Sequence, residues 1–567
     1  MTRPKLLALL TVLALAGYCY WPDRDVADHC HADAPDYIFP ALHALQGRGF
    51  IHIENGVKYP PAHPIGLSVL LVPVYALLGT HPGNGVYLVY LFALGATALT
   101  FWIADRLFGV LTATVACLLL MAVPEFRYYG SQIAPDGAVL AVFCLVAYAL
   151  AASLHVKSSR WKWFALGSLV GASLLLRADN ILLVVPVALI VWVRNPRPRP
   201  RLSQMALFAV GLGLWVGVQF ACNRMYTGDW FRPGFAVTCS PNFDRPEGLI
   251  SWRHFLTKPI ADSNALRILN AGQCQFALSE YDDNRFRCWA YRLAWIPFAA
   301  GVWALTRERS ARPFLWWTLL LVALMIAFFG CAIRFETRYI QRAMPFVCVI
   351  DAAGLVWLWG CVHNRWIRSN SAEGLVISVL WLLATISRTP YMPYAAYQPY
   401  TAYFQHVASL IHEPDALIVT TWGLLPVENL LVGDTHRTLL RAHSQSDPLW
   451  LLQWKKPPHP EWITEDTGFL NTQRYRRMRE NGAVDVSNGT AENNPQVIDD
   501  ALMAGRAVYY LVPGLLSGDD VEAFRFLNSR YRIELLEKGF APARPLSAPA
   551  KSFADQYLVL QLRSKTP

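Results

Sequence analysis

Apolar residues along this chain are grouped in long blocks separated by short polar breaks. Val86–Ala104, Leu140–Leu154, Met205–Phe220, Leu315–Phe329 and Leu375–Ile386 are such blocks. Each reaches or approaches the length a helix needs to cross a hydrocarbon core of about 30 Å. A helix can do so because it closes its own backbone hydrogen bonds. The first block, Leu6–Tyr20, follows Arg3 and Lys5 and has the outline of a signal peptide. It lacks a good small-residue cleavage pattern, and Tyr18, Tyr20 and Trp21 suit a membrane interface, so it is read as a retained span. The pattern predicts a mainly α, polytopic membrane protein.

The polar breaks orient it. Lys157, Arg160 and Lys162, then Arg194, Arg197, Arg199 and Arg201, then Arg307, Arg309 and Arg312, then Arg365 and Arg368 occupy short loops that alternate along the chain. Positive charge in short loops marks the cytoplasmic side. Pro64–Gly79 is apolar too, but a crossing there would put Arg3 and Lys5 opposite the Arg194–Arg201 loop. Read as a helix lying at the outer interface, it leaves eleven spans and a cytoplasmic N-terminus. The spans are expected near 5–21, 84–104, 110–124, 136–155, 163–176, 180–193, 204–222, 289–305, 313–332, 342–362 and 373–389. Pro22–Gly83, Glu125–Pro135, Asn223–Cys288 and everything after about Thr389 then face outward, and a bacterial inner membrane is the expected location.

Composition agrees: 54% of the 567 residues are hydrophobic, 16% are charged, and mean hydropathy is +0.27. The net charge of +10 would suggest nucleic acid in a soluble protein, but the cytoplasmic loops account for it and no nucleic-acid partner is expected. Cys30, Cys239, Cys274 and Cys288 fall outside, where one or two disulfides are permitted and the pairing is left open. After Arg388 the composition becomes that of a soluble domain, beginning with Tyr391, Tyr394, Tyr397, Tyr400 and Tyr403. Apolar runs at Ala416–Thr421, Ala507–Val512 and Gln556–Leu562, with a helical stretch at Val521–Asn528, predict a compact extracytoplasmic α/β domain over 390–567 beside a membrane domain over 1–389.

Candidate chemistry gathers on the outer side. Ala32-Asp33-Ala34-Pro35-Asp36-Tyr37 places carboxylates just beyond the first span, and Lys58-Tyr59-Pro60-Pro61-Ala62-His63-Pro64 follows. A carboxylate kept beside lipid is costly and points to chemistry or ion binding. Asp136, after Ser131-Gln132-Ile133-Ala134-Pro135, either caps the next helix or faces Asp33 across a cavity. Arg334, Arg338 and Arg342 lie between two spans on the face where positive charge is disfavoured, and Arg177 sits in a turn between two short blocks. Guanidinium forks suit phosphate oxygens, and internal pairing, as with Glu336, is the competing reading. His29 and His31 flank the acidic segment without a closed zinc spacing, so a divalent metal held by Asp33, Asp136 and His63 is left open.

In order and side, these elements resemble the GT-C glycosyltransferases that use lipid-linked sugars, specifically the group of protein O-mannosyltransferases and the lipid A aminoarabinose transferase. The resemblance covers roughly residues 1–362. It rests on Asp33-Ala34-Pro35-Asp36-Tyr37, Tyr59-Pro60-Pro61, the helix at Pro64–Gly79, Ser131–Asp136, the Leu176–Asn180 turn and the Arg338-Tyr339…Arg342…Pro345 stretch. The family's second acidic position is Ala34 here. The resemblance implies transfer of a sugar from a polyprenyl phosphate to a glycan, lipid or protein acceptor, with inversion. Asp33 would be the base, Asp36 a substitute for the missing acid, and Asp136 an orienting or metal-holding group. Lys58, Tyr59, His63, Arg177, Arg334, Arg338 and Arg342 would bind the lipid phosphate and sugar. A transporter or flippase for a lipid-linked or anionic substrate, and a non-catalytic scaffold of the same fold, are the alternatives.

Overall fold

A computed structural model of the chain describes residues 2–21, 34–54, 57–59, 61, 63–123, 126, 130, 132–154, 161–194, 198–231, 295–331, 341–366, 406–420, 438–441, 495–512, 518–539 and 558–565. These gather into two compact units. One comprises residues 1–22, 86–219 and 245–390; the other comprises 23–85, 220–244 and 391–567. The first outer segment thus groups with the C-terminal region.

In the first unit, every span expected up to residue 362 meets a helix: α1 (Arg3–Cys19), α4 (Val86–Phe108), α5 (Val110–Ala122), α6 (Pro135–Leu154), α7 (Trp161–Leu174), α8 (Val184–Arg194), α9 (Pro198–Thr227), α10 (Trp295–Arg307), α11 (Arg312–Gly330) and α12 (Met344–Trp366). The span expected at 373–389 lies outside the described residues. Among those described, Pro82–Phe108, Leu202–Thr227, Arg312–Phe329 and Met344–Cys361 are long and apolar enough to cross a membrane by length and composition. Shorter apolar helices include Val110–Ala122 and Pro135–Ala151. α4 and α5 are separated by one residue, Gly109, whose φ of 88° is costly for any side chain.

α1 and α4 run antiparallel. The Lys5 ammonium lies 2.8 and 2.9 Å from the two Asp105 carboxylate oxygens, and at the other end the Tyr90 hydroxyl donates to the Gly17 carbonyl (3.1 Å). α4 packs on α5 and α6, and α12 on α5 and α10. Glycines set the closest approaches. A Cβ at Gly167 or Gly211 would meet backbone of the facing helix in the α7–α9 pair, and one at Gly301 or Gly354 would do so in the α10–α12 pair. Lipid offers no hydrophobic drive for helix association, so small residues that allow backbones to touch supply it through packing.

In the second unit, α2 (Pro35–Leu45) leads to a hairpin of β1 (His52–Glu54) and β2 (Val57–Tyr59) and then to α3 (Gly66–Leu78). The hairpin register pairs His52 with Tyr59 and Glu54 with Val57. Asn55-Gly56 falls between the strands, the dipeptide favoured by two-residue hairpins. α3 ends at Gly79, φ 92°, where the Asn84 amide donates to the carbonyls of Leu78 and Gly79, each at 2.9 Å.

The C-terminal part of this unit is a five-stranded sheet ordered β4-β3-β5-β7-β6, with β3 (Leu417–Thr420), β4 (Thr438–Arg441), β5 (Val508–Val512), β6 (Arg532–Lys538) and β7 (Leu558–Arg563). β3 pairs parallel with β4 and β5, while β7 pairs antiparallel with β5 and β6. Helices α13 (Gln496–Met503) and α14 (Gly518–Arg530) bring Val497, Ile498, Ala501, Ala523 and Leu527 to a core with Val508, Tyr510, Val512, Leu560 and Leu562. The apolar runs read as strands became β3, β5 and β7. β4 and β6 form the two edges, and charged residues such as Glu534 and Glu537 on β6 suit an edge.

Candidate active site

In the first unit, two arginines and two carboxylates join three distant stretches of chain. Asp136 stands in the first turn of α6, where unpaired backbone N–H groups favour a carboxylate. Its Oδ1 accepts from Arg177 Nη1 at 3.2 Å. Arg177 Nε donates to Asp179 Oδ1 at 3.3 Å, and Asp179 Oδ2 accepts from Arg342 Nη2 at 2.8 Å. Arg342 Nη1 donates to Asn180 Oδ1 at 3.2 Å, and the Asn180 amide donates to the Ser173 carbonyl of α7 at 2.8 Å.

The local sequence explains the geometry. After α7 the chain makes a single short 3-10 turn, Ala178–Leu183, which presents Arg177, Asp179 and Asn180 before α8 begins. A second such turn, Gln341–Ala343, opens α12 and carries Arg342 inward. The Arg342 guanidinium, 1% exposed, lies 5.9 Å from the Phe143 ring centre and 5.8 Å from that of Phe329, a cation–π arrangement. The four charges cancel in pairs. Among the described residues, Arg342 Nε and Asp136 Oδ2 are buried without a hydrogen-bond partner.

In the second unit, Asp36 and His63 meet. Asp36 is in the first turn of α2, and its Oδ2 lies 3.4 Å from His63 Nε2. The Tyr37 ring stacks on the imidazole with centroids 5.2 Å apart and planes at 15°. Ala34, Tyr37, Ile38 and Ala41 are buried, the i, i+3, i+4, i+7 face of an amphipathic helix. Ala34 therefore falls on the packed face, where a carboxylate would be desolvated, and Asp36 lies off it.

Of the residues singled out by the sequence, Asp136, Arg177 and Arg342 are brought together in one cluster, and Asp36 and His63 in another. Arg177 and Arg342 are expected phosphate ligands; in the fold Arg177 donates to Asp136 and Asp179, and Arg342 to Asp179 and Asn180. Lys58 and Tyr59 lie in β2. Asp33, Arg334, Arg338 and the cysteines Cys30, Cys239, Cys274 and Cys288 lie outside the described residues. Asp179 and Asn180 were quoted in a turn but given no role. The signal was present, since an acidic residue between two short apolar blocks needs a partner. Among the described residues, no three His, Cys, Asp or Glu side chains are grouped to hold a metal ion.

Comparison with known proteins bears on what this frame is. Residues 62–220 match the model of the dolichyl-phosphate-mannose-protein mannosyltransferase family. The whole chain superimposes on ArnT from Cupriavidus metallidurans in the apo state, with a TM-score of 0.56 and 14% identity over 98% of this chain and 97% of that one. This is a GT-C fold. The same protein bound to undecaprenyl phosphate matches equally, with a TM-score of 0.56 over 97% of each chain. No curated protein matches in sequence. Within the GT-C fold, the matched family segment begins at Ala62, before His63, and includes the whole Asp136–Arg177–Asp179 part of the charged chain.

Proposed function

We propose that the chain is a membrane glycosyltransferase that moves a sugar from a polyprenyl-phosphate donor to an extracytoplasmic acceptor. The observation that carries this reading is the GT-C fold over nearly the full length, shared with a protein that has been seen bound to undecaprenyl phosphate. The family match to mannosyltransferases supports the same chemistry.

The reaction needs a base and a stabiliser for the leaving phosphate. Asp33 accepts the proton of the acceptor's hydroxyl or amine as that group attacks the anomeric carbon. The bond from that carbon to the phosphate oxygen breaks with inversion, and the electron pair leaves on the polyprenyl phosphate. Lys58, Arg334 and Arg338 are the cations assigned to that phosphate, because Arg177 and Arg342 already face carboxylates. Asp36, held by His63, stands three residues after Asp33 on the half-exposed side of α2 and supplies the second acid of the family pattern.

Asp33→Asn removes the base without changing side-chain volume. Transfer from a polyprenyl-phosphate sugar in membranes is expected to fall to background while the protein still elutes as a single folded species. Near-normal transfer by this variant would remove Asp33 from the mechanism. The donor is identified by the lipid-linked sugar that accumulates in cells lacking the protein.

A further inference from the structure

The charged chain in the first unit has an uneven division of labour. Arg177 and Arg342 each touch Asp179, which among the described residues of this cluster is the carboxylate that meets two guanidinium groups, one on each oxygen. Arg177 reaches Asp136 with Nη1, a different nitrogen from the Nε it gives to Asp179. The stretches joined are far apart in sequence: 163 residues separate Asp179 from Arg342, and 41 separate Asp136 from Arg177. Whatever orients Asp136 is thereby tied to the opening turn of α12.

We propose that Asp179 is a positioning residue of the transferase centre: it holds Arg177 on Asp136 and anchors that pair to buried Arg342. The inference rests on the glycosyltransferase reading given above. Three observations carry it. Asp179 fixes Arg177 through Nε, which leaves the Nη1 edge directed at Asp136 instead of free to rotate. Arg342 cannot drift, because its guanidinium is buried between Phe143 and Phe329 and is held by Asn180 as well as Asp179. Asp136 has Oδ1 paired with Arg177, while its Oδ2 is buried without a hydrogen-bond partner among the described residues.

The same geometry separates Asp179 from the phosphate ligands. A residue acting on the phosphate would change donor affinity. One acting through Arg177 on Asp136 changes turnover. A merely structural residue changes the amount of folded protein and leaves each folded molecule as active as before.

The test uses the full chain in detergent, with undecaprenyl phosphate as the binding probe and a polyprenyl-phosphate sugar donor for transfer. Asp179→Asn leaves Arg342 buried without its carboxylate and is expected to lower thermal stability sharply. Adding Arg342→Gln removes the stranded cation, and the double variant is expected to regain most of that stability. Per folded molecule, its kcat is expected to fall at least tenfold, with the donor KM and the undecaprenyl phosphate Kd within about threefold of wild type. Asp179→Glu keeps the charge but displaces both oxygens by a methylene; it is expected to fold and to show the same kcat loss in smaller degree. Transfer within twofold of wild type by the folded double variant, or by Asp179→Glu if the double variant does not fold, overturns the positioning role. A loss confined to KM and Kd overturns it in favour of a phosphate ligand. If the wild-type protein transfers sugar from no polyprenyl-phosphate donor, the glycosyltransferase reading itself falls, a result distinct from either of these.

Discussion

Burial and pairing of single side chains decide where ionisable groups can act, and Tyr531 shows this outside the membrane helices. Its hydroxyl donates to Asp499 Oδ1 at 2.9 Å and lies 3.1 Å from the Pro495 carbonyl, tying the end of α14 to the start of α13. Burial pushes the phenol's pKa up, and the hydrogen bond to Asp499 and the charge of that carboxylate push it further. The folded state therefore holds this proton more tightly than the unfolded chain, whose tyrosine titrates near pH 10. The resulting stability is fully present below about pH 10 and is lost as pH rises through the folded value. Tyr531→Phe is expected to cost about 1 kcal/mol at neutral pH, and to flatten the alkaline loss of protection in hydrogen exchange at Gln496–Met503. An alkaline limb identical to wild type in that variant would assign the loss to other groups. The same kind of pairing governs the candidate site. Arg177 and Arg342 stood out in the sequence as cations in unfavourable places, which identified them as residues with a task. Their partner did not stand out, because a contact spanning 163 residues leaves no local mark. Which carboxylate of the chain each arginine meets could be seen only in three dimensions.

Elements were legible where period and length agreed. Blocks of apolar residues located the helices up to residue 362, since burial in lipid demands uniform hydrophobicity and each break carries charge. The β1–β2 hairpin was not read at all, although Asn55-Gly56 marks it, because three-residue strands are too short for alternation to register. β6 was passed over for a related reason: as an edge strand, it is mostly exposed along its length. Packing between helices was the least visible level, since a glycine in an apolar block looks the same whether it faces lipid or another backbone. α12 contains both kinds. A Cβ at Gly354 would fall on the Pro297 carbonyl of α10, whereas one at Gly360 would meet nothing within 4 Å. Gly354→Ala is expected to force the α10–α12 pair apart at a cost of about 1–3 kcal/mol or more. Gly360→Ala is expected to be neutral or to gain up to about 1 kcal/mol of helix propensity. Thermal unfolding of the two variants in the same detergent tests the contrast; equal stability would mean that α10 and α12 do not touch at Gly354.

At the scale of the whole molecule, charge and one helix pair predict the direction of the chain through the membrane. Lys5 pairs with Asp105, and Gly17 with Tyr90, so the start of α1 lies level with the end of α4. The chain between them leaves and returns at the same end of that pair, which requires an even number of crossings. A single crossing by α3 does not fit the return of the chain. With α3 at the interface, the basic loops at Lys157–Lys162, Arg194–Arg201, Arg307–Arg312 and Arg365–Arg368 are expected to share one face with Arg3 and Lys5, and the charge rule predicts that face to be cytoplasmic. Alkaline phosphatase, active only outside the cytoplasm, reads this directly. Fusions ending within Arg194–Arg201 or Arg307–Arg312 are expected to be inactive, and a fusion after Pro567 active. Because each crossing reverses the outcome, an active fusion at Arg194–Arg201 together with a cytoplasmic N-terminus would require one crossing more or one fewer before residue 194. Were Pro64–Gly79 the added crossing, Asp36 and His63, which precede it, would stay outside, while Asp136 would move to the cytoplasmic face, away from an outer catalytic centre.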